Sequence, residues 1–99
     1  MAERFRLLIV QWNPTVGALA ANADAARRAW DQGRAAGADL VMLPEMFLTG
    51  YQTQDLVLRP AFLRDVAAEL ARLAADCADG PALGIGAPDL VGGRLYNAW

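Results

Sequence analysis

The sequence contains no histidine, no lysine and no serine, and its only cysteine is Cys77. These absences exclude a Ser-His-Asp triad, a Schiff-base lysine and the lysine of a phosphate-binding P-loop. A lone cysteine cannot form an intrachain disulfide, and without histidine it cannot build a zinc site. We therefore expect no metal site and a reducing, cytoplasmic environment.

Excess charge of one sign and membrane-length apolar runs are also missing. Nine arginines against eleven acidic residues give a formal charge of −2, which disfavours nucleic acid or an anionic membrane as a partner. The pair Arg27–Arg28 is expected to be a solvated helix face. The apolar run Leu7–Val10 is too short for a signal-peptide core or a membrane span.

Small apolar residues are abundant. Apolar residues make up 56% of the chain, and 21 of its 99 residues are alanine. This content argues against disorder and suits close helix packing. A chain of this length has room for one modest core.

Strand and helix patterns alternate along the chain. Short apolar runs predict strands at Leu7–Val10, Asp39–Leu43 and Ala82–Ala87, and helices are predicted over Ala23–Ala36 and from Pro60 to Gly80. A tight turn at Gly92-Gly93 then predicts a hairpin between Asp89–Val91 and Arg94–Asn97. The order strand, helix, strand, helix, strand, hairpin indicates an α/β fold with a mostly parallel sheet.

The sequence also predicts the ends of the first helix and the faces of the helices and strands that are buried. Asn22 is the predicted N-cap of the first helix, and Gly37 lies just past its end. The strands are expected to be covered on both faces, as in a buried parallel sheet. The predicted inner faces are Ala26, Ala29, Trp30 and Gly33 for the first helix, and Leu63, Val66, Leu70, Leu73, Ala74 and Cys77 for the second.

Glu45 is the strongest candidate for chemistry. It directly follows a predicted buried strand and Pro44, and ligands of open α/β sheets bind outside the carboxyl ends of the strands. Its neighbours Met46, Phe47 and Leu48 are apolar, so partial burial would tune its carboxyl group for acid–base work. The alternative is a surface glutamate or one paired with an arginine.

Other residues of catalytic type have simpler interpretations. Cys77 lies near a helix C-terminus, where the dipole disfavours a thiolate, so it is expected to be a packed apolar residue. Gly84-Ile85-Gly86 lacks the third glycine of a dinucleotide-binding loop, because position 89 is Asp, and predicts close strand packing instead. Trp12 and Trp30 are expected in the core.

Several motifs together resemble the nitrilase, or carbon–nitrogen hydrolase, superfamily. They are Gln11-Trp12-Asn13-Pro14-Thr15-Val16-Gly17, Asn22, and Gly37-Ala38-Asp39-Leu40-Val41-Met42-Leu43-Pro44-Glu45. Two further runs, Leu48-Thr49-Gly50-Tyr51 and Asp55-Leu56-Val57-Leu58-Arg59-Pro60-Ala61-Phe62-Leu63, look like the glutaminase domains of glutamine-dependent NAD synthetases.

The resemblance implies a fold, a site and partners. The fold is the N-terminal portion of an α-β-β-α sandwich that carries a Glu-Lys-Cys triad, in which Glu45 matches the general base. Glutamine is the implied substrate, and its ammonia passes to a synthetase domain that amidates deamido-NAD. ATP and Mg²⁺ are expected on that domain, no cofactor is expected on these residues, and a homo-oligomer is expected for the whole enzyme.

The chain departs from the family pattern because it has no lysine and Cys77 is on the wrong element to be the nucleophile. It also stops at Trp99 inside a predicted strand, which would leave an open sheet edge. We therefore expect residues 1–99 to be part of a carbon–nitrogen hydrolase domain, truncated at its C-terminus, without the synthetase domain and inactive alone. The alternatives are a piece of another branch, such as an amidase, or a small non-catalytic binding module.

Overall fold

The computed structural model describes residues 3–99, and its elements follow the predicted order. Strands alternate with helices, and a hairpin closes the described chain. The strands are β1 (Leu7–Ile9), β2 (Leu40–Met42), β3 (Ala82–Gly84), β4 (Ala87–Val91) and β5 (Arg94–Ala98); the helices are α1 (Leu19–Ala35) and α2 (Pro60–Asp76), with a 3-10 helix over Gln54–Leu58.

A three-stranded parallel sheet organises the molecule. Its order is β1-β2-β3, so β2 is central, and Val41 pairs with Leu8 on one side and Leu83 on the other. Both crossovers advance in the same direction. Because such connections are right-handed, α1 and α2 lie on the same face of the sheet. The predicted α/β class and parallel sheet are confirmed.

One face of the sheet remains open in the described part of the chain. Leu8 and Val41 point to the helices, whereas Leu7 and Ile9 on the opposite face are 48% and 62% exposed. The prediction that the first strand is covered on both faces is therefore wrong for these residues. The physical reason is the one-sided placement of the two helices.

Small side chains bring α1 close to β2. Ala23, Ala26 and Ala29 are fully buried, and Gly33 lies so close to Val41 that a Cβ there would overlap its Cγ2. Trp30 is also buried, and its Nε1 donates to the Pro81 carbonyl at 2.8 Å. The predicted inner face of α1 is thus confirmed.

The sequence predicts the C-terminus of α1 correctly but not its N-terminus. The helix begins at Leu19, four residues earlier than expected, after Ala18 and without a side-chain cap. Its C-terminus follows the prediction. Gly37 has φ +72° and donates to the Arg34 carbonyl, while Ala38 donates to the Gly33 carbonyl, which together form a Schellman motif.

Helix α2 packs along α1 through a narrow apolar stripe. Val66 and Leu73 are buried, whereas Ala74, which was expected on the same stripe, is exposed. At the rim, Arg27 of α1 pairs with Asp76 at 2.8 Å and with Asp24 at 2.9 Å. Arg28 is exposed. The predicted solvated helix face is therefore confirmed at Arg28, and Arg27 is paired with acidic residues.

The hairpin forms a separate two-stranded sheet. Strands β4 and β5 are antiparallel, and Gly92 and Gly93 both have positive φ, as a type I′ turn requires. The hairpin prediction is confirmed. The predicted third strand, Ala82–Ala87, is longer than the observed one, because β3 ends at Gly84 and Ala87 already belongs to β4.

Gly33→Ala tests the close contact between α1 and β2. Alanine normally stabilises a helix interior relative to glycine, but here its methyl group would collide with the fully buried Val41. We expect a loss of about 1–3 kcal/mol in the free energy of unfolding, measured in urea. Gln32→Ala, at an exposed position of the same helix, should stay within about 0.5 kcal/mol of wild type. A stabilised Gly33→Ala variant would contradict this packing.

Candidate functional site

Two loops leave the sheet at its carboxyl edge. One follows β1 and runs from Val10 to Ala18; the other follows β2 and runs from Leu43 to Thr53. Because β1 and β2 are parallel neighbours, the two loops emerge side by side. This edge is where ligands bind in open α/β folds.

Glu45 sits on the second of these loops, in a tight turn. The turn is closed by hydrogen bonds from Phe47 N to the Pro44 carbonyl at 3.2 Å and from Gly50 N to the Met46 carbonyl at 2.9 Å. Phe47 and Leu48 are buried in the core on the far side of the turn, and Glu45 is exposed. The expectation that apolar neighbours bury Glu45 is therefore wrong, because those neighbours anchor the turn instead.

The exposed carboxylate faces a cavity rather than a convex surface. The cavity has a volume of about 370 Å³ and is open to solvent. Glu45 is the only charged side chain among the residues that line it in the described chain. The lining comprises Gln11, Trp12, Asn13, Pro14, Pro44, Glu45 and Tyr51.

The aromatic lining was only partly foreseen. Trp12 is 37% exposed and lines the cavity, so the prediction that it belongs to the core is wrong. It lies three residues beyond the end of β1, on the loop at the carboxyl edge of the sheet. Tyr51 is exposed and lines the same cavity. Its position after the turn residue Gly50 carried no sequence signal of this role.

Asn22 fastens the two loops to each other. Its Nδ2 donates to the carbonyls of Thr15 at 2.8 Å and Leu48 at 3.0 Å, and its Oδ1 accepts from Thr15 N at 3.0 Å. Asn22 lies within α1 and is buried, so its predicted role as N-cap is wrong. An N-cap side chain bonds to its own helix, whereas this amide bonds to loop backbone on both sides.

Glycines allow further close backbone contacts around Glu45. A Cβ at Gly86 would overlap Met46 N and lie 2.7 Å from the Pro44 carbonyl oxygen, and Gly86 O accepts from Leu48 N at 3.2 Å. A Cβ at Gly84 would lie 2.6 Å from the Met42 sulfur. The prediction that Gly84 and Gly86 serve close packing is confirmed.

Asn97 of β5 reaches Glu45 directly. Its Nδ2 donates to Glu45 Oε1 at 2.6 Å. The sequence does not predict this contact, because the two residues are far apart in the chain and the pattern around Asn97 indicates only the end of a hairpin strand. Neighbouring Trp99 donates from Nε1 to the Leu43 carbonyl at 3.2 Å.

Cys77 lies away from this site. It follows α2 and precedes β3, so it is at the amino edge of the sheet, whereas Glu45 is at the carboxyl edge. It packs against the apolar core, and burial raises the pKa of its thiol. The prediction that Cys77 packs as an apolar residue is confirmed.

Within residues 3–99, no three His, Cys, Asp or Glu side chains come together as a metal site would require. Neither described helix combines the length and apolarity needed to cross a bilayer.

Comparison with known proteins identifies the family. The family model for carbon–nitrogen hydrolases matches residues 6–99. The chain belongs to the carbon–nitrogen hydrolase family. A solved glutamine-dependent NAD(+) synthetase from Cytophaga hutchinsonii superimposes with a TM-score of 0.86 at 26% identity, over 94% of this chain and 16% of that one. The nitrilase-like fold expected from the resemblance is confirmed.

Curated relatives point to one branch of the family. A glutamine-dependent NAD(+) synthetase from Rhodobacter capsulatus is 69% identical over the whole chain, which spans 18% of that relative. Its counterpart from Xylella fastidiosa is 39% identical over 98% of the chain, again 18% of the relative. The chain thus spans under a fifth of these proteins. An amidase from Nesterenkonia shares the fold, with a TM-score of 0.71 at 23% identity, over 86% of this chain and 32% of that one.

Asn22→Ala tests the connection between the two loops. The substitution removes three hydrogen bonds and takes away the Asn22 partner of Thr15 N and of the Leu48 carbonyl, whereas the Thr15 carbonyl still accepts from Ala18 N at 3.1 Å. We expect a loss of about 2–4 kcal/mol in the free energy of unfolding, because buried polar groups left unsatisfied cost about 1–3 kcal/mol each and partly recover through water. Asn13→Ala, at an exposed position of the first loop, is the control. Equal urea midpoints for the two variants would contradict the proposed connection.

Proposed function

We propose that this chain is the base-bearing part of a glutamine-hydrolysing domain in a glutamine-dependent NAD synthetase. The observation that carries the proposal is Glu45, whose carboxylate stands on a cavity at the carboxyl edge of the sheet. The 69% identity to the Rhodobacter capsulatus enzyme supports this branch over an amidase, for which the likeness extends to the fold alone.

In this proposal Glu45 acts as the general base. It accepts the proton of a cysteine thiol, and the resulting thiolate attacks the side-chain amide carbon of glutamine. A lysine and the polar groups of the pocket stabilise the tetrahedral oxyanion. Ammonia then leaves, and water hydrolyses the thioester. The thiol and the lysine come from outside these residues, since the chain has no lysine and Cys77 lies at the opposite edge of the sheet.

The cavity suits a small polar substrate. Its volume of about 370 Å³ is in the lower range of small-molecule sites. Trp12 and Tyr51 offer apolar surface for an aliphatic side chain, and Gln11 and Asn13 offer hydrogen-bonding groups. Glu45 stands among them with its carboxylate accessible.

The rest of the proposed enzyme follows from the same assignment. Residues 1–99 would be one portion of the hydrolase domain, and ammonia would pass to a synthetase domain that uses ATP and Mg²⁺ to amidate deamido-NAD. A cytoplasmic homo-oligomer fits this role. A non-catalytic binding module is the competing assignment, and the loss of activity described next distinguishes the two.

Glu45→Gln in the full-length protein tests the general base. The amide keeps the shape of the side chain but cannot accept the thiol proton. We expect NAD synthesis from glutamine to fall by a factor on the order of 10³ or more. Synthesis from added ammonia should be unchanged, because only amide hydrolysis needs this base. Both rates are measured as NAD formed over time.

The matched control is Glu69→Gln, which makes the same change on α2, where Glu69 pairs with Arg72 at 2.7 Å. It should retain both activities. If Glu45→Gln loses ammonia-dependent synthesis as well, Glu45 has a structural role. If it keeps glutamine-dependent synthesis, the proposed function fails.

The 99-residue chain by itself should release no ammonia from glutamine above background. It carries the base but lacks lysine, and its one thiol is partly buried at the wrong edge of the sheet with a raised pKa. Loss of the nucleophile alone costs about 10⁶ in turnover in a comparable hydrolase. Ammonia release is followed by a coupled assay, with Cys77→Ala as the control. Turnover that survives this substitution would contradict the assignment of the missing groups.

A further inference from the structure

The carboxylate of Glu45 has one fixed partner. Asn97 Nδ2 donates to Glu45 Oε1 at 2.6 Å, and among the described residues this is the only side chain that donates to the carboxylate. The remaining oxygen, Oε2, has no such partner within residues 3–99. The two oxygens of Glu45 are therefore inequivalent, although the side chain is exposed.

Asn97 is held on a braced element. Asn97 and Trp99 are two positions apart on an extended segment, so they project from the same side. Trp99 donates to the Leu43 carbonyl at 3.2 Å while Asn97 binds Glu45, so the strand end contacts both ends of the segment from Leu43 to Glu45. Gly86, which precedes β4, lies against the backbone of the same turn. The hairpin is thus fastened to the turn at three points.

Such bracing matters because an unrestrained glutamate is poorly positioned. Its terminal torsion has a broad, roughly two-fold preference, so an exposed carboxylate exchanges its oxygens freely. A hydrogen bond from a rigid strand restricts that rotation. Functional groups held by a fixed partner on a regular element keep the geometry that proton transfer requires.

We propose that Asn97 is a positioning residue that holds Glu45 Oε1 and so assigns Oε2 as the atom that accepts the proton, an inference that rests on the proposed function. The amide donates its N–H to Oε1 and exchanges no proton itself. Oε2 takes the proton of the thiol, and the sulfur keeps the electron pair with which it attacks the amide carbon. Asn97 acts through Glu45 and needs no contact with substrate.

Asn97→Ala in the full-length protein is the first test. Glutamine-dependent kcat should fall about 10- to 100-fold, as expected when a reacting group is misplaced by about 1 Å. The KM for glutamine should stay within about twofold, because the lining residues of the cavity are unchanged. Ammonia-dependent synthesis should not change. Arg94→Ala, an exposed position on the opposite side of β5, is the control and should match wild type in all three.

Asn97→Asp gives a measurement that would not depend on pH if Asn97 had only a structural role. A protonated aspartic acid can donate to Glu45 Oε1, whereas an ionised one cannot and repels the carboxylate. An ordinary aspartate is ionised both at pH about 8 and at pH about 5.5, but a neighbouring carboxylate raises the pKa of the introduced aspartate. The ratio of Asn97→Asp activity to wild-type activity should therefore rise several-fold as the pH falls from about 8 to about 5.5. The ratio for Asn97→Ala should stay flat. Among the described residues around Glu45 and Asn97, the other titratable side chain is that of Tyr51, and it is common to all variants.

The outcomes separate the inference from the function on which it rests. Unchanged kcat in Asn97→Ala overturns the positioning role, as does a flat ratio for Asn97→Asp. Loss of ammonia-dependent synthesis in Asn97→Ala overturns it too, since that result indicates general structural damage. Glu45→Gln is assayed in parallel with the Asn97 variants. If Glu45→Gln keeps glutamine-dependent activity, the proposed function fails, whatever the result for Asn97.

Discussion

The side-chain amide of Asn22 is the interaction on which the site depends. Asn22 is buried within α1, and its amide forms hydrogen bonds with the backbone of two loops that are distant in sequence, at Thr15 and Leu48. One loop carries Trp12, and the other carries Glu45 and Tyr51. Gly17 N donates to the Thr49 carbonyl at 2.8 Å, which continues the same contact between the loops. A helix in the core thereby sets the distance between the two walls of the cavity.

The direction of the parallel strands then separates two kinds of chemistry. Residues that follow a strand collect at the carboxyl edge, and residues that precede one collect at the opposite edge. Glu45 belongs to the first group and Cys77 to the second. The carboxylate is open to solvent, whereas the thiol is packed among apolar side chains and its pKa is raised by burial. Topology alone therefore prevents this acid and this thiol from acting as a pair.

The sequence predicted what depends on local pattern and failed where a contact is long-range. The parallel sheet, the Schellman end of α1 at Gly37, the hairpin and the position of Glu45 after a strand follow from periodicity, turn residues and connection rules. The roles of Asn22 and Asn97 do not, because asparagine has the same preference for caps and turns wherever it occurs. The predictions of burial at Trp12 and Glu45 are wrong, because in the loops beyond β1 and β2 some side chains turn to the core, as Phe47 and Leu48 do, and others face the cavity, and neighbouring hydrophobicity does not distinguish them.

Glu45 combines a rigid mounting with an accessible carboxylate, and these two properties have separate causes. Phe47 and Leu48 bury the turn on its inner side, and Gly86 admits the backbone contact on a second side. Neither contact touches the carboxylate, which meets Asn97 on one oxygen. Rigid support therefore comes from the backbone of the turn and from the core, while the carboxylate itself stays accessible from the cavity. Under the function proposed above, a carboxylate that is held in place before its partner arrives needs little reorganisation on contact, which is the positioning that proton transfer requires.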